Sequence, residues 1–341
     1  METDRAMTGV SPEHEWERLG FDELCDRLEI PMKTLLLMHT SPDADTLGSC
    51  HALSSLLSAA DSTVYCACAD PMPEHLHFLS DEQKCLDIPA GFAPDRVIAV
   101  DVASPSQLGA LREKYEGKVS LMIDHHGMGT PFADHFVDPD AAATGEIIFD
   151  IAKEFLHDGI ICRVPEVFWT YCYAAIAGDT GGFRFSNTTP ATMRRAAVLL
   201  EHGVDAAEVN YQLFSQKSLS QLRAECVGFE RMKLSLDGRL AIMTMPYKVI
   251  AENGFRDGDL GTLIDVARSV RGVEVAAVVK QLTAEKKFRA SLRSSVDFDV
   301  AEVAAEFGGG GHTRAAGCTI LADSIDVPGR SLRPTKNVRR V

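Results

Sequence analysis

No run in the 341-residue chain approaches the about 18 consecutive apolar residues that a membrane-spanning helix needs, so the sequence predicts no membrane span. Its opening residues lack the basic, apolar and small-residue order of a signal peptide, which argues against secretion by that route. Cysteine is present nine times but never as a CxxC pair, so a structural zinc site of thiolates is excluded. The odd number and irregular spacing of these cysteines fit a reduced cytoplasm. Positive charge is scarce: 34 Lys and Arg stand against 49 Asp and Glu, a net charge of −15. That balance excludes a protein that coats long duplex nucleic acid by counterion release. A short anionic substrate remains open, provided that a cation such as a divalent metal sits between it and the carboxylates.

What is present is the composition of a globular protein, 45% hydrophobic and 24% charged, with enough length for two cores. Residues 1–33 read as an N-terminal helical extension, with apolar Trp16, Leu19, Leu24 and Leu28 set among polar residues. From Thr34 short apolar runs at 35–38, 96–100 and 120–123 alternate with helix-like stretches, the pattern of a mostly parallel α/β sheet. This first domain is expected over 34–205 and a helical connector over 206–233. A smaller α+β domain follows over 234–323, from the alternation at 240–245, 273–282 and 287–295. Residues 324–341 read as a loosely held tail.

The ends of the apolar runs carry the chemistry. After the first come His39, Asp43 and Asp45; after the second, Asp101; after the third, Asp124, His125 and His126. A further apolar stretch leads to Asp179, followed by glycines. In open α/β sheets ligands bind outside the carboxyl ends of the strands, so these groups are expected to converge on one edge. Asp and Asn also collect in turns and at helix starts, and for Asp45 the competing role is to cap the helix that follows it. Set against that, His39, Asp43, Asp45, Asp101, His125 and Asp179 suit two divalent ions sharing a carboxylate, and mixed N and O donors favour Mn²⁺. Such a pair activates water for phosphoester hydrolysis.

The segments HTSPDADTLGS, AVDVASPSQLG, IDHH, AGDTGGFRFSNT and SLRSS…GGGGHTRAAG resemble the ordered motifs of the DHH phosphoesterase family, over roughly residues 34–322. The glycine-His ending is similar to the DHH-associated domain of the nanoRNase and pAp phosphatase branch. The resemblance implies that His39, Asp43 and Asp101 hold one metal and that Asp45, Asp101, His125 and Asp179 hold the other, with Asp101 as the bridge. It makes Asp124 and His126 catalytic: Asp124 orients a neighbouring imidazole, and His126 faces the scissile phosphate as donor or leaving-group acid. It assigns substrate binding to Arg293, Gly309, Gly310, Gly311 and His312. Arg184 is either a further substrate contact or a structural ion pair, and Arg289 and Arg314 are lesser candidates. Ala44 and Thr46 depart from the commonest form of the first motif without touching a ligand position. Phe183, Phe185 and Phe255 could stack on a base or belong to the core.

The implied activity is hydrolysis of short oligoribonucleotides to 5′-mononucleotides, with pAp a second substrate, by a cytoplasmic homodimer. A cyclic or linear dinucleotide phosphodiesterase would use the same residues. A nucleotide-sensing protein without catalysis is the reading from another class, but it would be expected to have lost metal ligands, and here all six positions are filled.

Overall fold

In a computed structural model of the chain, the described residues are 16–79, 88–296 and 298–323, with only the backbone of His312 described among them. The tail expected at 324–341 and the first 15 residues of the expected extension lie outside them. The fold is α/β, and its contacts divide the chain into two units, one ending at Ser215 and the other beginning at Gln216.

In the first unit α1 (Phe21–Glu29), β1 (Lys33–Leu37), α2 (Ala44–Ala59), β2 (Thr63–Ala67), β3 (Arg96–Val100), α3 (Arg112–Tyr115), β4 (Leu121–Asp124) and β5 (His135–Val137) precede four helices. These are α4 (Thr144–His157), α5 (Glu166–Asp179), α6 (Pro190–Glu201) and α7 (Ala206–Asn210). Among the described residues of the expected extension, the helix is α1. Before it, Leu19 N–H donates to the His135 carbonyl and an isolated bridge joins Arg18 to His135, so this segment runs beside β5 instead of coiling.

The five strands are all parallel, in the order β2-β1-β3-β4-β5. Parallel strands covered on both faces read as unbroken apolar runs, which is why β1, β3 and β4 were visible in the sequence. Successive side chains go to opposite cores. Leu36, Ile98, Val100 and Ile123 join the cluster that includes residues of α2, α4 and α5, while Leu35, Leu37, Val97, Ala99 and Met122 meet Leu108, Tyr115 and Phe132. The strand order reverses between β1 and β3, and at such a point the loops leaving neighbouring strands diverge and open a crevice.

Helix α2 is buried along nearly its whole length and lies against α5 through small residues. A Cβ on Gly48 would fall 2.6 Å from the Tyr171 carbonyl oxygen, and one on Gly178 would fall 2.7 Å from the Ala44 Cβ. Larger residues would hold the helices apart and separate the side chains at their ends.

The second unit contains α8 (Leu219–Glu230), β6 (Lys233–Ser235), β7 (Leu240–Met245), α9 (Tyr247–Asn253), α10 (Leu263–Arg268), β8 (Val275–Lys280), β9 (Lys287–Ser294), α11 (Val300–Ala305), β10 (Gly310–His312) and β11 (Ala315–Leu321). Its six-stranded sheet has the order β10-β11-β9-β8-β7-β6 and is antiparallel except for β7 with β8. Along β9, Phe288, Ala290 and Leu292 are buried, whereas Arg289, Ser291 and Arg293 lie on the opposite, more open face.

Among the described residues no helix is long and apolar enough to cross a membrane.

Candidate metal centre

The loops leaving β1, β3 and β4 bring the expected side chains together at the carboxyl edge of the sheet, beside the crevice between β1 and β3. His39 follows β1. Its Nδ1 lies 2.8 Å from the Thr40 carbonyl oxygen, so Nδ1–H donates there and Nε2 is left to face the cluster. Nε2 stands 3.6 Å from Asp43 Oδ1 and 3.5 Å from Asp101 Oδ2. His125 is set the same way: Nδ1 lies 3.2 Å from the Ala141 carbonyl oxygen, and Nε2 faces Asp179 at 3.2 Å, Asp45 at 3.6 Å and Asp101 at 3.8 Å. A carbonyl partner on one ring nitrogen is the arrangement by which proteins fix a ligating imidazole.

The capping role falls on Asp43, not Asp45. Asp43 Oδ1 accepts from the N–H groups of Asp45 and Thr46 at 3.0 and 3.1 Å, satisfying donors at the start of α2. Asp45, one position inside the helix and fully buried, accepts instead from Ser49 Oγ at 2.7 Å, Thr144 N–H at 2.8 Å and Gly145 N–H at 3.1 Å. Asp179 reaches the cluster from the last position of α5 and not from a strand end. Asp101 has φ 59°, a left-handed conformation that aspartate tolerates better than most residues.

Three groups result whose ligand atoms lie within 4.8 Å of one another: His39, Asp43 and Asp101; Asp101, His125 and His126; Asp45, His125 and Asp179. Asp101 belongs to two of them, with Oδ2 toward His39 and Oδ1 toward His125 and His126. Asp124, only 2% exposed, receives His126 Nδ1 at 2.7 Å and the N–H groups of His125 and His126 on the same oxygen. His126 is held by this contact and is more open than His125, at 21% against 6% side-chain exposure.

Crowding acids into a buried place sets the electrostatics. Burial pushes the Asp45 carboxyl up, and Asp101 and Asp179 push it further, well above the usual range. Asp179 rises through burial too, with His125 opposing. Burial alone would raise Asp101 and Asp43, but the imidazoles facing them win and hold both below the usual range. Burial would lower His39 and His125, yet the carboxylates around them leave both well above the ordinary value. The ion pairs of these four carboxylates run to imidazoles. The cluster offsets its own negative charge by taking protons, the behaviour of N and O donors suited to a divalent cation.

The other expected residues make contacts of their own. The Arg184 guanidinium lies 5.4 Å over the Phe214 ring, with Nε donating to the Gly181 carbonyl. Arg293 and Arg289 share one face of β9 in the second unit. Arg293 donates to the Leu292 carbonyl, while Arg289 and Lys280 both pair with Asp257. Two of the three glycines answer to the local hairpin: a Cβ on Gly309 would sit 2.2 Å from the Gly317 carbonyl oxygen, and one on Gly311 would sit 2.4 Å from that of Ala315. Gly310 faces open space, and the His312 side chain lies outside what the structure describes. Arg314 offers its carbonyl to Ser294 N–H. Phe255 is core, whereas Phe185 is partly exposed over Gly181 and Phe183 packs on Tyr173.

Sequence reading missed the segment 141–145, whose carbonyl and amide groups bind His125 and Asp45. Its one visible signal is a run of small residues, AAATG, just before an amphipathic helix.

Comparison with known proteins places the chain in a family. The model described as DHH family, N-terminal domain, matches residues 33–176, and that described as DHHA1 domain matches 238–327. The bifunctional oligoribonuclease and PAP phosphatase NrnA of Thermus thermophilus is 31% identical over 94% of this chain and 94% of its own. The protein of the same name from Bacillus subtilis is 25% identical over 88% of this chain and 93% of its own. A crystal structure of an exopolyphosphatase-related protein from Bacteroides fragilis shares the fold, with a TM-score of 0.81 and 21% identity over 92% of this chain and 95% of that one. With motifs, sheet order and near full-length similarity in agreement, the chain belongs to the DHH family.

Proposed function

We propose that this protein is a metal-dependent hydrolase that removes 5′-mononucleotides from very short RNA and converts pAp to AMP and phosphate. The observation that carries the reading is the shared position of Asp101. One buried carboxylate turns its two oxygens toward two separate sets of N and O donors, as a bridge between two cations requires. The names of the similar Thermus thermophilus and Bacillus subtilis proteins support the substrate class.

In this reading His39, Asp43 and Asp101 hold one divalent ion, and Asp45, Asp101, His125 and Asp179 hold the other, Mn²⁺ being the ion their donor set favours. Bound there, the two ions would activate water and neutralise charge developing on the phosphoryl oxygens. The chain's own residues do the rest. His126, anchored through Nδ1 to Asp124, presents Nε2 to the leaving oxygen and donates the proton that oxygen needs. Burial would lower its pKa, but Asp124 and Asp101 hold it above the ordinary value. In the second unit Arg293, Gly309, Gly310, Gly311 and His312 bind the phosphate and terminal nucleotide, and Arg184 is a further contact. The protein acts as a homodimer in the cytoplasm. The dimer rests on family resemblance, and a reducing compartment suits the eight described cysteines, all free.

Stripping the protein with a chelator and titrating Mn²⁺ by calorimetry tests the reading. Two equivalents are expected to bind and to restore turnover of an RNA dinucleotide. Cations and protons compete for the same atoms, and the raised His39 and His125 pKa values hold those protons until pH climbs through them, so affinity should weaken as pH falls. Full activity in excess chelator would overturn the reading.

A further inference from the structure

We propose that Thr144 is the positioning residue that orients Asp101, the carboxylate shared by the two halves of the metal centre, against Asp45. The inference rests on the dinuclear reading above. Thr144 opens α4 and is fully buried. The residue before it, Ala143, has no side chain that could cap the helix, so the first N–H groups of α4 need acceptors from elsewhere. They find them in Asp45: Thr144 N–H reaches Oδ2 at 2.8 Å and Gly145 N–H reaches Oδ1 at 3.1 Å. The Thr144 hydroxyl donates to Asp101 Oδ1 at 2.9 Å.

One residue therefore grips Asp45 through its backbone and, through its side chain, Asp101, the carboxylate that the two halves share. The oxygen it holds on Asp101 is the one facing His125 and His126, which leaves Oδ2 turned toward His39. Without that hydrogen bond the Asp101 carboxylate is free to rotate about its last torsion and lose its bridging orientation. A β-branched residue suits the role because its χ1 is restricted and the hydroxyl is aimed in advance. The start of α4 is itself anchored. Arg195 pairs with Glu146 at 3.2 Å and with Asp150, which ties the first turns of α4 to α6.

The test uses the full chain and compares Thr144→Val, Thr144→Ala and Thr144→Ser, with Asp101→Asn as reference. It reads Mn²⁺ binding to the stripped protein by calorimetry, and kcat and KM on an RNA dinucleotide. Valine and alanine both keep the amide to Asp45 and lose the hydroxyl, valine putting a methyl in its place and alanine losing the threonine methyl as well. Each is expected to weaken Mn²⁺ binding and lower kcat by about tenfold or more, with KM little changed, whereas serine stays near wild type. Should the valine variant not fold, alanine against serine makes the same comparison. Wild-type binding and kcat in the alanine variant, with Asp101→Asn impaired, would overturn the role of Thr144 and leave the dinuclear reading standing. Serine as impaired as alanine would also overturn it, since the methyl and not the hydroxyl would then matter. An Asp101→Asn variant that binds and turns over like wild type would instead remove the dinuclear reading itself.

Discussion

At the scale of single residues, the centre depends on atoms whose second bonds are already made. His39 and His125 each give Nδ1–H to a carbonyl, and His126 gives its own to Asp124, so each ring presents Nε2 in a fixed direction. His126 differs from the other two in giving its Nδ1–H to a carboxylate instead of a backbone carbonyl. In the proposed reading it is a proton donor and they are ligands. His126→Ala is expected to lower kcat by about a hundredfold or more while leaving the Mn²⁺ isotherm unchanged. An equal loss of metal in His126→Ala and Asp101→Asn would instead make His126 a ligand, the role that its place in a group with Asp101 and His125 also permits. The positions of these residues were legible in the sequence because each follows an apolar run. The division of labour between Asp43 and Asp45 was not, since both precede the same helix and only geometry reveals which side chain turns back to cap it. Thr144 was hidden for a related reason: its role is a contact across 43 residues of chain, with no local pattern to mark it.

At the scale of elements, what sets the site is how closely α2, α4 and α5 approach. A Cβ on Gly145 would fall 2.5 Å from the Ala175 Cβ, and the Gly178 and Ala44 contact brings the end of α5 against the start of α2. Asp179 and Asp45 sit next to these contacts, so the helix spacing is also the spacing of two proposed ligands. Gly178→Val is expected to cost about 1–3 kcal/mol of stability through overpacking and, beyond that, to weaken Mn²⁺ binding in protein that remains folded. Thermal melts with calorimetry separate the two effects, and wild-type behaviour in both would show that this contact does not set the spacing. The strands of the first unit were readable as apolar runs, and 240–245 was readable as β7. Helix α5 was harder. Buried on nearly every side, it shows no amphipathic period, and a short apolar run before Asp179 looks the same whether it is strand or helix. In the second unit, the glycines at 309 and 311 illustrate another limit. Sequence pattern marks them as special, while the structure shows that close strand approach alone demands glycine at both.

At the scale of the whole molecule, a net charge of −15 and a buried acidic centre constrain the substrate more than the fold does. Long nucleic acid gains its affinity from many phosphate contacts with Lys and Arg, which this chain has few of relative to its acids. A substrate with one or two phosphates needs only the cations proposed for the centre and a few donors. The most direct measurement is therefore hydrolysis in Mn²⁺, side by side, of an RNA dinucleotide, pAp, an RNA of several tens of residues, and cyclic and linear diadenylate and diguanylate. Fastest turnover of the dinucleotide and pAp is the predicted result. Degradation of the long RNA as readily as the dinucleotide, or a marked preference for a cyclic dinucleotide, would contradict it.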